Sequence, residues 1–244
     1  MNGLLELFRR RKEPEREAPA ESRPVRFRAR GFSFLLEDLP GGRPWRILDL
    51  GEADNVNLNF FAGQGARYTV ESLYRGILPC RRSGTFDVDC LARRQDFLRF
   101  DSRTEFDAIL AWDLLDYLPP GGLDLVASRL APVAGPSTLL YSVVSREPKL
   151  PPRPARCRII DGETVEMTHE TEVRTFPGPR YTQAQLDESL TPFRVERSYL
   201  LKIHAQEVLL RTEDSTGSAR EGVEEGSGQR ERHRRSPERN FPSE

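Results

Sequence analysis

Trp45-Arg46-Ile47-Leu48-Asp49-Leu50-Gly51 is the stretch whose reading decides the fold. It follows a turn cluster, Pro40-Gly41-Gly42-Arg43-Pro44, and stops at a glycine. A short apolar run bounded by turn residues reads as a buried strand. Runs of the same kind recur at Arg67–Leu73, Phe106–Trp112 and Ser137–Val144. The gaps between them are helix-sized, with candidate helices at Asn55–Gln64, Leu114–Leu118 and Leu123–Leu130. Strands alternating with helical crossovers predict an α/β domain with a mostly parallel sheet and helices on both faces.

Val56-Asn57-Leu58-Asn59-Phe60 alternates with period two, which by itself indicates a strand. Helix is the better reading. Asp54 or Asn55 can cap it, Gly63 can stop it, and two parallel strands need a crossover between them.

After Val144 the pattern changes. Pro148 to Pro154 is a proline-rich break. Arg158–Ile160 and Thr164–Thr168 read as a hairpin around Asp161-Gly162. Thr182 is a cap for a helix over Gln183–Leu190. Phe193–Lys202 and Gln206–Thr212 then read as an antiparallel pair at the sheet edge, a C-terminal hairpin.

Composition bounds the rest. The chain has 244 residues, 37% apolar and 31% charged, with a net charge of −1. That length suits one ordinary domain with tails. The charge balance excludes a globally basic nucleic-acid binder, and no apolar run approaches the ~18–20 residues of a membrane span. Residues 1–30 carry nine Lys or Arg against five Glu and read as a flexible basic segment. Within it, Leu4, Leu5 and Phe8 form one face of a short basic helix of the kind that lies on anionic membrane; a frayed terminus is the plainer reading. Residues 213–244 are Ser, Gly, Glu and Arg with almost nothing apolar, and read as a disordered mixed-charge tail. The folded domain therefore spans 31–212. Arg accounts for 34 of the 37 basic residues, spread along the whole chain, which indicates composition bias rather than a built guanidinium site.

Cys80, Cys90 and Cys157 are odd in number and widely spaced, with no Cys-x-x-Cys pair. Neither a disulfide framework nor a zinc site is expected, and the reading is a reducing, cytoplasmic protein. His169, His204 and His233 have no metal-ligand spacing.

Taken in order, these segments resemble the class I S-adenosylmethionine-dependent methyltransferases. Ile47-Leu-Asp-Leu-Gly51 resembles their first motif. Glu71, at the end of the second strand, stands where they place a ribose-binding acid. Gln95-Asp96-Phe97-Leu98-Arg99-Phe100 resembles their adenine-contacting segment. Phe106 to Pro119 resembles their fourth strand and the turn after it, and Tyr181 to Asp187 with the last hairpin resembles their C-terminal end. The resemblance covers residues 45–212. It implies a doubly wound, Rossmann-like, mostly parallel sheet of seven strands and S-adenosylmethionine as cofactor. It also implies a cofactor site of Asp49, Gly51, Ala53, Glu71, Asp96, Phe97 and Trp112. Methyl transfer needs chiefly alignment of nucleophile and methyl carbon, so a catalytic residue is not fixed; Asp113, Asp116 and Tyr117, on the ligand-side rim, are the candidates.

The chain departs from that family at one point. Gly51-Glu52-Ala53-Asp54-Asn55 stands where the family has glycines at alternate positions, and Glu52 and Asp54 add negative charge there. Two functions stay open. One is methyl transfer to a small-molecule acceptor; the other is a catalytically degenerate domain that binds or scaffolds. The acceptor and the oligomeric state are not legible in the sequence.

Overall fold

The computed structural model describes residues 23–84, 86–101, 104–170 and 175–213. The expected membrane-contacting face at residues 1–12 and the tail beyond Glu213 lie outside these residues. Among the described residues no helix is long and apolar enough to cross a membrane.

The strands run β1 Val25–Arg28, β2 Arg46–Asp49, β3 Arg67–Val70, β4 Phe106–Trp112, β5 Ala134–Ser145, β6 Lys149–Leu150, β7 Arg156–Ile159, β8 Thr164–Thr168, β9 Phe176–Pro177, β10 Phe193–Leu201 and β11 Ala205–Thr212. The α-helices are α1 Arg30–Asp38, α2 Asn55–Gly63, α3 Leu73–Arg82, α4 Val88–Ala92, α5 Gly122–Leu130 and α6 Gln183–Ser189. Leu114–Tyr117 forms a 3₁₀ turn.

Six strands make the main sheet, in the order β10-β11-β5-β4-β2-β3. The pairs β2–β3, β2–β4 and β4–β5 are parallel. The pairs β5–β11 and β10–β11 are antiparallel. In β4 and the second half of β5 nearly every residue is buried, as expected of central strands covered on both faces. A small antiparallel sheet, β1-β8-β7, and a two-stranded ribbon, β6-β9, complete the strands.

The helix over the period-two stretch is present. The Asp54 side chain accepts the Val56 N–H at 2.8 Å, and the helix ends at Gly63. The cap outweighs the alternation because it satisfies an amide the helix leaves unpaired. Thr182 and Gln185 form a reciprocal capping box on α6.

Several expectations need correction. The main sheet has six strands among the described residues, not seven. The stretch after α3 makes no further strand beside β3; Asp87 caps the Cys90 N–H at 2.7 Å and starts α4 instead. The second strand stops at Val70, because Ser72 caps α3. Order also begins ahead of residue 31, since β1 pairs with β8 from Val25 to Arg28. Finally, Cys80 and Cys90 form a disulfide, with Cα atoms 5.9 Å apart. Ten residues separate them in sequence, but α3 and α4 pack together and bring them into reach. The expectation of a reducing compartment rested on the lack of such a bond and loses that support. Cys157 is free and buried.

Helix α1 has no predicted counterpart. Its own N-cap, Ala29, offers no side-chain acceptor. A carboxylate from the far end of the chain takes that place. Glu207 on β11 is wholly buried; its Oε1 accepts the Tyr141 hydroxyl at 2.7 Å, and its carboxylate faces the first amides of α1, with a Cβ at Gly31 only 3.5 Å from Oε1. A negative charge at a helix N-terminus is favourable. Burial still pushes the Glu207 carboxyl above its ordinary range. Phe32 of α1 then packs on Phe60 of α2, Tyr141 and Trp112, with ring centroids 5.7–6.4 Å apart.

Candidate functional site

From β2 the chain moves outward to β3, then crosses back to β4 on the other side of β2. The order therefore reverses between β2 and β4. In open α/β sheets, ligands bind beyond the carboxyl ends of the strands at such a reversal. Asp49, Gly51 and Trp112 meet there.

Asp49 is wholly buried at the end of β2. Its Oδ1 accepts the Gly51 N–H and the Trp112 Nε1–H, each at 2.7 Å. Its Oδ2 accepts the Tyr68 hydroxyl, from β3. Desolvation pushes its carboxyl above the ordinary value, and these donors pull the other way. One carboxylate thus ties three neighbouring strands together. Gly51 is required by close approach: a Cβ would lie 2.9 Å from both Asp49 Oδ1 and Trp112 Cδ1.

In front of this junction is a cavity of about 460 Å³. Gly51, Glu52, Ala53 and Trp112 form one wall, Tyr74, Arg75 and Arg82 of α3 a second, and residues 153–157 a third. The two loop acids are neutralised. Glu52 pairs with Arg75 at 2.8 Å and Asp54 with Arg158 at 2.9 Å. Asn57 of α2 fixes β7 over the loop, donating to the Cys157 carbonyl and accepting the Ile159 N–H.

A second cavity, of about 400 Å³, adjoins the first; His169 lines both. It contains Asp113, Asp116 and Tyr117 together. Asp113 Oδ2 accepts the Ala155 N–H at 2.8 Å, and Asp116 Oδ2 accepts the Ser145 N–H at 2.6 Å. The Tyr117 hydroxyl donates to the Arg153 carbonyl at 2.8 Å. Burial pushes the Asp113 carboxyl up to about 7 and the Asp116 carboxyl up to about 8, the latter helped by the negative charge of Asp113. Burial also lowers the His169 imidazole and raises the Tyr117 phenol.

Of the seven residues expected at a cofactor, Gly51, Ala53 and Trp112 line the first cavity and Asp49 stands behind it. The other three stand elsewhere. Glu71 continues β3 through its N–H to the Asp49 carbonyl at 2.8 Å and is not among that cavity's lining residues. Asp96 is largely exposed and pairs with Arg94. Phe97 is core: a Cβ at Gly76 would lie 2.9 Å from its ring. Sequence reasoning missed Arg75, Arg82, Arg153, Arg156 and His169 as lining residues. In a chain whose basic residues are nearly all Arg, no single Arg stood out.

A larger hollow, of about 540 Å³, lies at the opposite, amino ends of β2, β3 and β4. Its main charged pair is already matched, with both terminal guanidinium nitrogens of Arg43 on the Asp107 carboxylate.

No protein-family model matches the chain, and no curated protein matches it. Among solved structures, the chain is similar to the 1,6-didemethyltoxoflavin-N1-methyltransferase of Burkholderia thailandensis, crystallised with 1,6-didemethyltoxoflavin and S-adenosylhomocysteine. The identity is 17% over 75% of this chain and 77% of that one, with a TM-score of 0.43. It is similar to the N-methyltransferase NodS of Bradyrhizobium japonicum at 16% identity, over 75% of this chain and 94% of that one, TM-score 0.39. It is similar to the magnesium protoporphyrin IX methyltransferase of Synechocystis, solved with S-adenosylmethionine, at 14% identity over 75% and 76%, TM-score 0.40.

Proposed function

We propose that the chain binds S-adenosylmethionine in the cavity at the β2–β4 reversal and transfers its methyl group to an acceptor held in the adjoining cavity. The observation that carries this reading is the pair of cavities on either side of the Asp113–Tyr117 turn, with His169 in the wall of each.

The donor set of the first cavity suits the cofactor. Its amino-acid end is anionic at the carboxylate, and Arg82 stands in the wall to meet it, while Arg153 is paired with Glu170 at 3.1 Å. Gly51 and Ala53 present backbone rather than bulk, so a ligand can come close. The loop acids, already paired with Arg75 and Arg158, do not repel it. When bound, the cofactor supplies an electrophilic methyl group. The chain's part is to orient the acceptor, exclude water and receive a proton, and Asp113 and Asp116 are the groups placed for the last of these.

A specific observation favours the second reading, a degenerate binding domain. The Trp112 indole lies against Gly51 and is fixed on Asp49, and Glu71 and Asp96 do not line the cavity.

Isothermal titration of the full chain with S-adenosylmethionine and S-adenosylhomocysteine separates the two. Micromolar binding, weakened in Arg82→Ala, supports the methyltransferase reading. No heat and no shift in melting temperature up to millimolar ligand leaves the degenerate binding domain.

A further inference from the structure

The second cavity holds two carboxylates that the fold does not finish satisfying. Each of Asp113 and Asp116 gives one oxygen to a backbone N–H. The other oxygen, Oδ1 in both, is buried with no hydrogen-bond partner among the described residues. The two residues are only 6% and 4% exposed. Among the described residues neither takes part in an ion pair. Buried carboxylate oxygens without partners are costly, so a site of this kind is completed by a proton or by a cation from outside.

The walls indicate what sort of cation. Val143, Leu150, Met167 and Ile203 give the cavity an apolar body. About 400 Å³ is room for an organic molecule of ten or so heavy atoms rather than one ion. Among the described residues no group of three or more His, Cys, Asp or Glu is placed to hold a metal. Tyr117, whose hydroxyl is committed to the Arg153 carbonyl, adds an aromatic edge.

We propose that the cavity lined by Asp113 and Asp116 is a binding site for an organic primary or secondary amine, with the nitrogen at the two carboxyl groups and the carbon skeleton on Val143, Leu150, Met167 and Ile203. The inference deepens the methyl-transfer reading and rests on it in one respect, the naming of the amine as acceptor; the binding site itself does not depend on a cofactor. The carboxylates have a double use for such a ligand. They bind the ammonium form, and they are bases to which it gives up a proton when its lone pair is needed. Their raised carboxyls, near neutrality, make that exchange available at ordinary pH.

The test is calorimetric titration of the full chain with 2-phenylethylamine and with 2-phenylethanol, its neutral counterpart, each repeated with S-adenosylhomocysteine present. The amine is expected to bind at least about tenfold more tightly than the alcohol, and the preference is expected to vanish in Asp113→Asn/Asp116→Asn. Asn keeps an oxygen for the Ala155 and Ser145 N–H groups, so the variant is built to fold; circular dichroism checks it, and the single Asp116→Asn variant replaces it if it does not. Equal affinity for amine and alcohol, no binding of either, or a preference that survives the substitution overturns the amine site. Amine preference without any S-adenosylhomocysteine heat keeps the site and removes the cofactor reading. S-adenosylhomocysteine heat without amine preference does the reverse.

Discussion

The indole N–H of Trp112 donates to Asp49 Oδ1 at 2.7 Å, across 63 residues of sequence. Trp112 is the last residue of β4 and has a left-handed backbone, φ 48°. That turn at the end of the strand leaves its indole against Gly51 and the carboxylate. The bond fixes two parallel strands at the end where the cavities open. Trp112→Phe removes the donor and leaves the Asp49 carboxylate with two partners instead of three. A lost hydrogen bond to a buried charged group costs about 2 kcal/mol, and the smaller ring adds to that. Urea unfolding should show at least this loss; an unchanged midpoint would mean the bond contributes nothing.

Gly51→Ala tests the same junction from the other side. The new methyl would need room where Asp49 Oδ1 and Trp112 Cδ1 lie 2.9 Å away, and neither is free to leave. Overpacking of this kind costs about 1–3 kcal/mol. The double variant with Trp112→Phe should lose less than the two single losses combined, since the smaller ring relieves the clash.

The Asp113 and Asp116 carboxyls titrate near 7 and 8 in the fold, against 3.8 for the ordinary group. The folded chain therefore holds more protons than the unfolded chain over that interval. Stability from these groups is fully present below pH about 4 and is lost as pH rises through about 7 to 8. Asp113→Asn/Asp116→Asn, neutral at every pH, should match the parent in acid and exceed it above pH about 8. Parallel denaturation curves for parent and variant across this range would contradict the raised carboxyls. Glu207 and Asp49 shift in the same direction, so the difference between the two proteins is the quantity to read.

Glu207→Ala removes the carboxylate that faces the start of α1. The first amides of α1 then lose the negative charge that faces them, at a cost on the order of 1 kcal/mol. Amide exchange should speed up in residues 30–38 more than in α5 or α6. Uniform acceleration over the whole fold would show that the carboxylate supports the core generally and not this helix.

The three cysteines give a direct count. Denatured without reductant, the chain should show one reactive thiol, Cys157, and three after reduction. Three thiols before reduction would mean that Cys80 and Cys90 are not joined.

Local patterns made most elements legible. The runs at β2, β4, β5, β7, β8, β10 and β11 are continuous or alternating apolar stretches with turn residues at their ends, and such signals need no distant partner. The caps at Asp54 and Thr182 belong to the same class, because capping is satisfied within three residues. Helix α1 escaped because its N-cap, Ala29, carries no capping signal and the carboxylate facing its start, Glu207, is about 175 positions away. Helix α3 escaped because Pro79 stands inside it and its first residues read as a continuation of β3.

The site divides in the same way. The sequence by itself determined the order of strands and helices, and with it the end of the sheet where Gly51, Trp112, Asp113 and Asp116 would gather. Each is placed by its position after a strand, which is local information. Only the tertiary structure decided which of the expected residues face a cavity. Phe97 turned into the core against Gly76, Asp96 turned to solvent and Arg94, and Asp49 was consumed by donors from three chain segments. It also decided that Glu52 and Asp54 carry no net repulsion, since Arg75 and Arg158 arrive from α3 and β7 to pair with them. Burial and charge depend on what the rest of the chain brings within a few ångströms, and no spacing along the sequence records that.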